Sequence, residues 1–159
     1  KAAQTGHMVM STLHTNSAAE TLTRLRNMGV PSINIASSVT LVIAQRLARR
    51  LCPQCKKIHD IPREALLKEG FPEEQIGKFK LYQPVGCDAC KKGYKGRVGI
   101  YEVVKITPAL QRIIMEDGNS IEIAAKAREE GFNDLRTSGL LKAMLGMTSL
   151  EEVNRVTKD

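Results

Sequence analysis

The sequence predicts an α/β fold with a cysteine-rich insertion and a small all-helical C-terminal part. Three observations lead to this expectation. An apolar run opens the chain before a polar turn and helical patterns, two CxxC pairs lie in the middle, and helix-capping residues alternate with glycines in the last third. We therefore divide the chain into segments 1–51, 52–105 and 106–159. The formal charge of +7 is uneven, with +9 in residues 1–105 and −2 in the last segment.

The composition excludes several classes of protein. With 42% hydrophobic and 26% charged residues, the 159-residue chain is too apolar to be disordered and long enough to bury a core. That core must be aliphatic, because the chain has no Trp, three Phe and three Tyr. The longest uncharged stretch, residues 27–45, is interrupted by proline and polar residues, so we expect no membrane span. No positively charged leader precedes an apolar block, so we expect no export.

The first segment predicts a strand, a turn and a helix. The mostly apolar run 7–13 is typical of a short buried strand, and residues 14–16 form a polar turn. Ser17 and Glu20 then have the spacing of a capping box at the start of a helix. Gly29 is a natural end for that helix.

A second helix and a second strand complete this segment. Apolar residues at helical spacing predict a helix over residues 32–44. Residues 46–51 follow as a strand with Leu47 and Leu51 on one face. Strand, turn, two helices and a strand together form an α/β fragment.

Glycines and capping residues define the remaining elements. Gly93, Gly96 and Gly99 indicate a turn leading into a further strand. In the last segment the pair Thr107–Pro108 begins a helix, and Thr148 with Glu151 forms a second capping box. The strand has Val98, Ile100 and Val103 as candidates for its buried side, and Gly118, Gly131 and Gly146 stand where helices would end.

The four cysteines form two pairs, Cys52 with Cys55 and Cys87 with Cys90, separated by 31 residues. Two thiolates in one tight turn can both reach a tetrahedral ion, and two such turns complete its coordination shell. A structural zinc site is therefore the favoured interpretation. The alternatives are four ordinary buried thiols, or a thioredoxin-like redox pair, which needs only one CxxC.

Lysines and arginines surround both cysteine pairs. Four thiolates on Zn²⁺ carry a net charge of −2, so nearby cations are expected simply to offset it. A nucleic-acid footprint is the competing interpretation. It is less favoured because only Tyr94 and Tyr101 are close enough in sequence to offer stacking surfaces. The cations concerned are Arg49, Arg50, Lys56, Lys57, Lys91, Lys92, Lys95 and Arg97.

Two histidines flank the first predicted strand. His14 lies in the turn that leaves it, before a helix N-terminus, where an anionic group could bind. His7 lies at the other end of the strand. A histidine at the end of a strand is more often a structural residue, so these two positions alone are weak evidence for an anion site.

Five motifs along the chain are specific when taken together: QTGHMVMSTLHTNS (4–17), RLRNMGVP (24–31), AQRLARRLCP (44–53), GYKGRVGIYE (93–102) and MTSLEEVNRV (147–156). With the four cysteines, they resemble the type II secretion and type IV pilus ATPase family across nearly the whole chain. The tetracysteine insertion indicates the assembly and secretion branch, and the stretches 61–71 and 154–159 are most similar to pilus assembly ATPases of the PilB type.

The resemblance implies the C-terminal part of a RecA-like P-loop ATPase domain. The family is hexameric, lies in the cytoplasm at the inner membrane, docks on a platform protein and drives pilin polymerisation with ATP and Mg²⁺. By this resemblance His14 would contact the γ-phosphate of ATP, and His7 would support the same histidine box. An imidazole can donate a hydrogen bond to a phosphoryl oxygen, which is consistent with such a role.

One departure from the family pattern limits what this chain can do. A P-loop enzyme needs the G-x-x-x-x-G-K-[ST] cradle, and no such motif occurs in these 159 residues. We therefore expect a C-terminal portion that binds zinc but neither binds ATP tightly nor hydrolyses it. The alternatives are a free-standing zinc ribbon that binds nucleic acid, and a structural module that docks on partner subunits.

Overall fold

The computed structural model describes residues 1–158 and has an α/β fold. Asp159, the last residue of the predicted helical segment, lies outside the described residues. Short 3₁₀ turns cover Ala2–Thr5 and Glu73–Gln75. The helices are α1 (Ala18–Asn27), α2 (Ser32–Ser38), α3 (Arg63–Glu69), α4 (Pro108–Met115), α5 (Ser120–Glu129), α6 (Leu135–Met144) and α7 (Leu150–Thr157). The strands are β1 (Leu41–Leu51), β2 (Lys57–Ile58), β3 (Tyr82–Gln83) and β4 (Tyr94–Lys105).

The strands form two small sheets. The long strands β1 and β4 pair with each other, and the short strands β2 and β3 pair antiparallel. In the short pair Lys57 lies opposite Gln83 and Ile58 lies opposite Tyr82. Within residues 1–158, no helix is long and apolar enough to cross a lipid bilayer.

The chain forms two compact units. Unit one contains residues 1–44 and 102–134, and unit two contains residues 45–101 and 135–158. Each unit therefore joins stretches that are far apart in sequence, and the three sequential segments do not coincide with the units. In particular, the helices of the last third are divided, α4 and α5 belonging to unit one and α6 and α7 to unit two.

Each unit has its own core. The core of unit one consists of small and aliphatic side chains from α1, α2, α4, α5 and the ends of the long strands. The core of unit two is smaller and is centred on Phe71, which stacks on Phe79 with 5.2 Å between the ring centroids. The fully buried side chains of the two units include Leu22, Ile35, Leu110, Ile114 and Ile123 in the first, and Val153 in the second.

The predicted strand over residues 7–13 is wrong. Residues 7–15 have no regular structure, and Met8 and Met10 are 92% and 89% exposed. A strand is stable only when a neighbour satisfies its backbone N–H and C=O groups. No strand in the described part of the chain pairs with this run, so its apolar pattern has nothing to pack against.

The predicted helix over residues 32–44 is too long. Helix α2 ends at Ser38, and strand β1 begins at Leu41. Four of the five residues 39–43 are β-branched, namely Val39, Thr40, Val42 and Ile43, and such residues favour the extended backbone. Strand formation therefore replaces the last helical turn and a half.

The burial pattern of the long strands also differs from the prediction. Val98 and Ile100 are buried as predicted, but Val103 is 48% exposed, while Glu102 and Val104 are buried. Leu51 is buried, whereas Leu47 is 45% exposed. From Val98 to Val104 the side chains of β4 alternate between the two faces, so Val103 cannot share a face with Ile100. In β1 this alternation is interrupted between Ala48 and Leu51, so Leu47 and Leu51 differ in burial.

The helix starts agree more closely with prediction. The Ser17 hydroxyl accepts a hydrogen bond from the N–H of Glu20, and the Glu20 carboxylate accepts one from Asn16, one residue before the predicted partner. Thr107 caps α4 as predicted. The second capping box is shifted by one residue, because Ser149 caps α7 by accepting from the N–H of Glu152.

Candidate functional site: a four-cysteine metal centre

The first cysteine pair lies directly after β1. The N–H of Cys52 donates to the carbonyl of Gly93 at 2.9 Å, which anchors the turn to the start of β4. The N–H of Lys56 donates back to the Cys52 carbonyl at 3.2 Å and closes the turn. Cys52 is buried, and Cys55 is half-buried.

The second cysteine pair lies between β3 and β4. The N–H of Cys90 donates to the Cys87 carbonyl at 3.3 Å, and Lys91 and Tyr94 exchange backbone hydrogen bonds of 3.0 and 2.9 Å. Gly93 makes this turn possible, because its φ is +91° and a Cβ there would come within 2.4 Å of the Pro84 Cβ.

The four sulfur atoms converge. All four Sγ atoms lie within 4.8 Å of one another, in the arrangement expected of metal ligands. Three of the separations are 3.8 Å between Cys52 and Cys87, 3.7 Å between Cys55 and Cys90, and 3.6 Å between Cys87 and Cys90. A regular tetrahedron with metal–sulfur bonds of about 2.3 Å has sulfur–sulfur edges of about 3.8 Å. The donor set therefore fits a tetrahedral ion such as zinc.

The pKa values of the Cys52 and Cys87 thiols are shifted in opposite directions. The backbone N–H of Gln54 hydrogen bonds to Cys52 and lowers the pKa of that thiol to about 7, which favours its thiolate. At Cys87 a hydrogen bond from the backbone of Ala89 lowers the pKa, but contact with the Cys90 thiol and burial outweigh it and raise the pKa to about 12. A backbone N–H, from Gly86, also points at the Cys55 sulfur at 3.4 Å.

Two of the cations predicted to offset the charge of a metal cluster make other contacts. The Arg49 guanidinium forms an ion pair with Glu152 at 2.6 Å and stacks on the Tyr94 ring at 4.3 Å. The Lys56 ammonium donates to the Gly146 carbonyl at 3.0 Å and lies 4.4 Å from the centre of the Tyr82 ring. Both cations therefore stabilise the structure next to the cysteines through these partners.

Two buried carboxylates were missed by the sequence analysis. The fully buried Glu152 accepts hydrogen bonds from both Arg49 and Arg155. Glu102, 8% exposed, accepts from the N–H of Ala18 at the start of α1. The sequence contains a signal for Glu152 only in its position three residues after the capping Ser149.

His7 and His14 belong to unit one, and all four cysteines belong to unit two. Both histidines are exposed and lie in the irregular segment 7–15. The His7 Nδ1 atom is 3.1 Å from the Thr5 hydroxyl and 3.3 Å from the Ala2 carbonyl. The structure thus brings the four predicted metal ligands together, whereas the role of the two histidines remains a prediction.

The sequence is similar to a known protein family and to named members of it. Residues 1–155 match the sequence profile of the family described as "Type II/IV secretion system protein". The "Type IV pilus assembly ATPase PilB" of Pseudomonas aeruginosa is 82% identical over 159 residues, which are 100% of this chain and 28% of that protein. The "Type II secretion system ATPase E" of Vibrio cholerae is 42% identical over 160 residues, 100% of this chain and 31% of that protein.

The chain spans less than a third of either relative. A crystal structure of the pilus retraction motor PilT with bound ADP shares the fold, with a TM-score of 0.62 at 21% identity over 99% of this chain and 34% of that one. On the strength of the profile match across residues 1–155, the chain belongs to the type II/IV secretion system protein family.

Proposed function

We propose that this chain is the C-terminal portion of a hexameric, RecA-like ATPase that powers type IV pilus assembly from the cytoplasmic side of the inner membrane. The observation that carries the proposal is the 82% identity, over every residue of the chain, with a protein named as a type IV pilus assembly ATPase. Relatives named for type II secretion match at about half that identity, which favours a role in pilus assembly.

The proposed metal is one structural zinc ion held by Cys52, Cys55, Cys87 and Cys90. When bound, zinc would neutralise part of the thiolate charge and cross-link the two turns. Four protein ligands leave no open position for water or substrate, so the site has no catalytic role in this proposal. The convergence of the sulfurs at tetrahedral spacing supports it.

The nucleotide role is divided between this chain and the rest of the protein. We assign His14 to contact with the γ-phosphate of ATP in the full-length protein and His7 to support of the same box; both side chains are exposed and accessible to a ligand. Residues 1–51 would contribute this box to the ATPase core, 52–105 would form the zinc-binding subdomain, and 106–159 would form a small helical C-terminal subdomain. The chain alone, which has no phosphate-binding loop, would neither bind ATP and Mg²⁺ tightly nor hydrolyse ATP.

A chimera tests the pilus role. This chain replaces the matching residues of the Pseudomonas aeruginosa assembly ATPase in cells that lack the native gene, and surface pili are counted by microscopy. We expect pili to be restored, because 82% of the exchanged residues are unchanged. The same exchange in the Vibrio cholerae secretion ATPase should restore secretion poorly, since that relative is 42% identical.

The chimera also tests the histidine. Replacing His14 with Ala should abolish piliation while the chimera remains hexameric by gel filtration, and Lys1→Ala is a matched exposed control in the same unit. A hexameric chimera that never restores pili would refute the proposed function. Docking on the platform protein would be tested in the same cells by co-purification.

The nucleic-acid alternative makes a different prediction. A zinc ribbon that binds nucleic acid should bind a mixed-sequence oligonucleotide with an affinity that falls steeply as salt rises. We expect only weak attraction to the basic surface of this chain. Tight binding with a steep salt dependence, together with a chimera that fails, would favour the alternative.

A further inference from the structure

Unit two carries more positive charge than a metal site requires. Its residues, 45–101 and 135–159 in the sequence, include 17 Lys and Arg against 9 Asp and Glu, so they carry +8, while unit one carries −1. A zinc ion with four thiolates adds only −2 to this unit. A net charge of about +6 remains after the metal site is complete. Such an excess favours a negatively charged partner.

A groove of about 410 Å³ lies within this unit. One wall is formed by the segment that leads into β3, and the other by the C-terminal end of α6. The groove is shallow and open to solvent over much of its extent. The lining residues are Gly77, Lys78, Phe79, Lys80, Tyr82, Met144 and Leu145.

The groove is lined by polar and apolar surface in about equal parts, with two lysines beside its apolar side chains. Leu145 is 70% exposed, and the Phe79 ring, stacked on Phe71, is half-buried. Lys78 and Lys80 are exposed on either side of Phe79. Neither lysine forms an ion pair within residues 1–158, so both ammonium groups are available to a ligand.

The two walls are held together by fixed contacts. The φ of Gly146 is +75°, and a Cβ at this residue would lie 3.2 Å from the Tyr82 ring. Because Gly146 has no side chain, the end of α6 can approach Tyr82 closely. Lys56 bridges the two walls, with its ammonium group 3.0 Å from the Gly146 carbonyl and 4.4 Å from the Tyr82 ring centre. The groove is thus part of the folded unit.

We propose that this groove, with Lys78 and Lys80 at its rim, is a docking site for an acidic segment of a partner protein that inserts one bulky apolar side chain. The positive charges of Lys78 and Lys80 favour binding of an acidic segment. The apolar surface at Phe79 and Leu145 favours contact with a bulky apolar side chain. None of the residues that line this groove belongs to the proposed nucleotide site or to the four-cysteine cluster.

The concave shape favours a peptide over a lipid surface. Proteins that bind at a membrane surface present a continuous apolar face, flanked by cations, that enters the headgroup region. Here the apolar side chains Phe79 and Met144 are half-buried within a groove, where a protruding side chain of a partner can reach them. An anionic membrane could contact the lysines and the exposed Leu145, but it would not reach the half-buried Phe79 and Met144.

Fluorescence anisotropy with the zinc-loaded full chain tests the proposal. The probe is a short fluorescein-labelled peptide of Asp and Glu residues around one central Phe, and the comparison peptide has Ser at its centre. We expect the Phe peptide to bind about tenfold more tightly. The double variant Lys78→Glu with Lys80→Glu, and separately Leu145→Ser, should each weaken binding of the Phe peptide about tenfold.

The matched control changes the same amount of charge elsewhere in the unit. Lys95→Glu with Arg97→Glu alters two exposed cations of β4 and should weaken binding less than about threefold. Equal losses for the two double variants, or equal binding of the two peptides, would overturn the proposal in favour of general attraction to a basic surface. Tighter binding to phosphatidylglycerol vesicles than to the peptide, or self-association that Lys78→Glu with Lys80→Glu abolishes, would overturn it in favour of a membrane or a second copy.

Discussion

The Arg49 guanidinium donates two hydrogen bonds to the same oxygen of Glu152, from Nε at 3.0 Å and from Nη2 at 2.6 Å. The backbone N–H of Arg49 donates to the other oxygen at 2.8 Å. Arg155 approaches the same carboxylate, with both contacts at 2.9 Å. This buried carboxylate therefore joins the end of β1, three residues before the first metal-ligand candidate, to helix α7.

Replacing Glu152 with Gln should destabilise unit two. A neutral amide cannot form ion pairs with the guanidinium groups of Arg49 and Arg155, and the Glu152 side chain is fully buried. We expect a loss of about 3 kcal/mol in the free energy of unfolding by urea. Glu151→Gln is the matched control, since that neighbour is exposed, and it should change stability by less than about 0.5 kcal/mol. Equal stabilities for the two variants would show that the ion pairs contribute little.

The same carboxylate should make stability depend on pH. Burial raises the pKa of Glu152, but hydrogen bonds from Arg155 and Arg49 outweigh it and hold the pKa at about 2, below the ordinary value of 4.5. Because the folded-state pKa is depressed, the stabilisation is fully present above pH 4.5 and is lost as the pH falls towards 2.

Urea unfolding at several pH values measures this effect. The difference in stability between the wild type and Glu152→Gln should shrink by about 3 kcal/mol from neutral pH to pH 2. Taking the difference between the two proteins removes the contribution of metal release, which is common to both. A difference that stays constant with pH would contradict the assignment of the low pKa to Glu152.

The four-cysteine cluster leads to a prediction of how much zinc the purified chain contains. Elemental analysis of the purified chain should find about one zinc per chain, and Cys52→Ser or Cys87→Ser should reduce it severalfold. Removing the metal with a chelator should expose amides of residues 52–105 to hydrogen exchange, because metal binding and local folding are coupled. His59→Ala is the control, as His59 lies outside the cysteine cluster. A metal-free chain with unchanged exchange protection would count against a structural role.

Gly93, in the turn before β4, and Gly96, within β4, should differ in the stability lost on substitution by alanine. Gly93→Ala combines a positive φ with a 2.4 Å approach to Pro84, whereas Gly96→Ala has a positive φ and no atom within 4 Å. We expect Gly93→Ala to cost at least about 2 kcal/mol in stability and to weaken zinc binding, and Gly96→Ala to cost about 1 kcal/mol. Similar losses in both variants, measured by urea unfolding and zinc competition, would mean that the close approach to Pro84 is unimportant.

Features that depend on a few neighbouring residues could be predicted from the sequence. The cap at Ser17 and the helix start at Thr107 form from local hydrogen bonds, and both were predicted. The spacing of Cys52 with Cys55 and of Cys87 with Cys90 predicted a shared site, and the sulfurs do converge. The low aromatic content predicted an aliphatic core, which unit one has, whereas the core of unit two includes Phe71 stacked on Phe79.

Features that depend on distant partners could not be predicted in this way. The apolar run 7–13 has a strand-like pattern, but a strand forms only where another strand pairs with it, and pairing is decided by the tertiary fold. The capping box at Thr148 and Glu151 had the right spacing, yet the Thr148 hydroxyl donates to the Arg49 carbonyl and Ser149 takes the cap.

The sequence alone predicted that the two CxxC pairs share one site and that helices start at Ser17 and Thr107, because each pair and each cap consists of residues close together along the chain. Only the tertiary structure decided that Glu152 would be buried between Arg49 and Arg155, and that the groove beside Tyr82 would exist. The physical reason is that each depends on residues 60 or more positions apart, 103 in the case of Arg49 and Glu152. Burial and ion pairing follow from which of these distant stretches pack together.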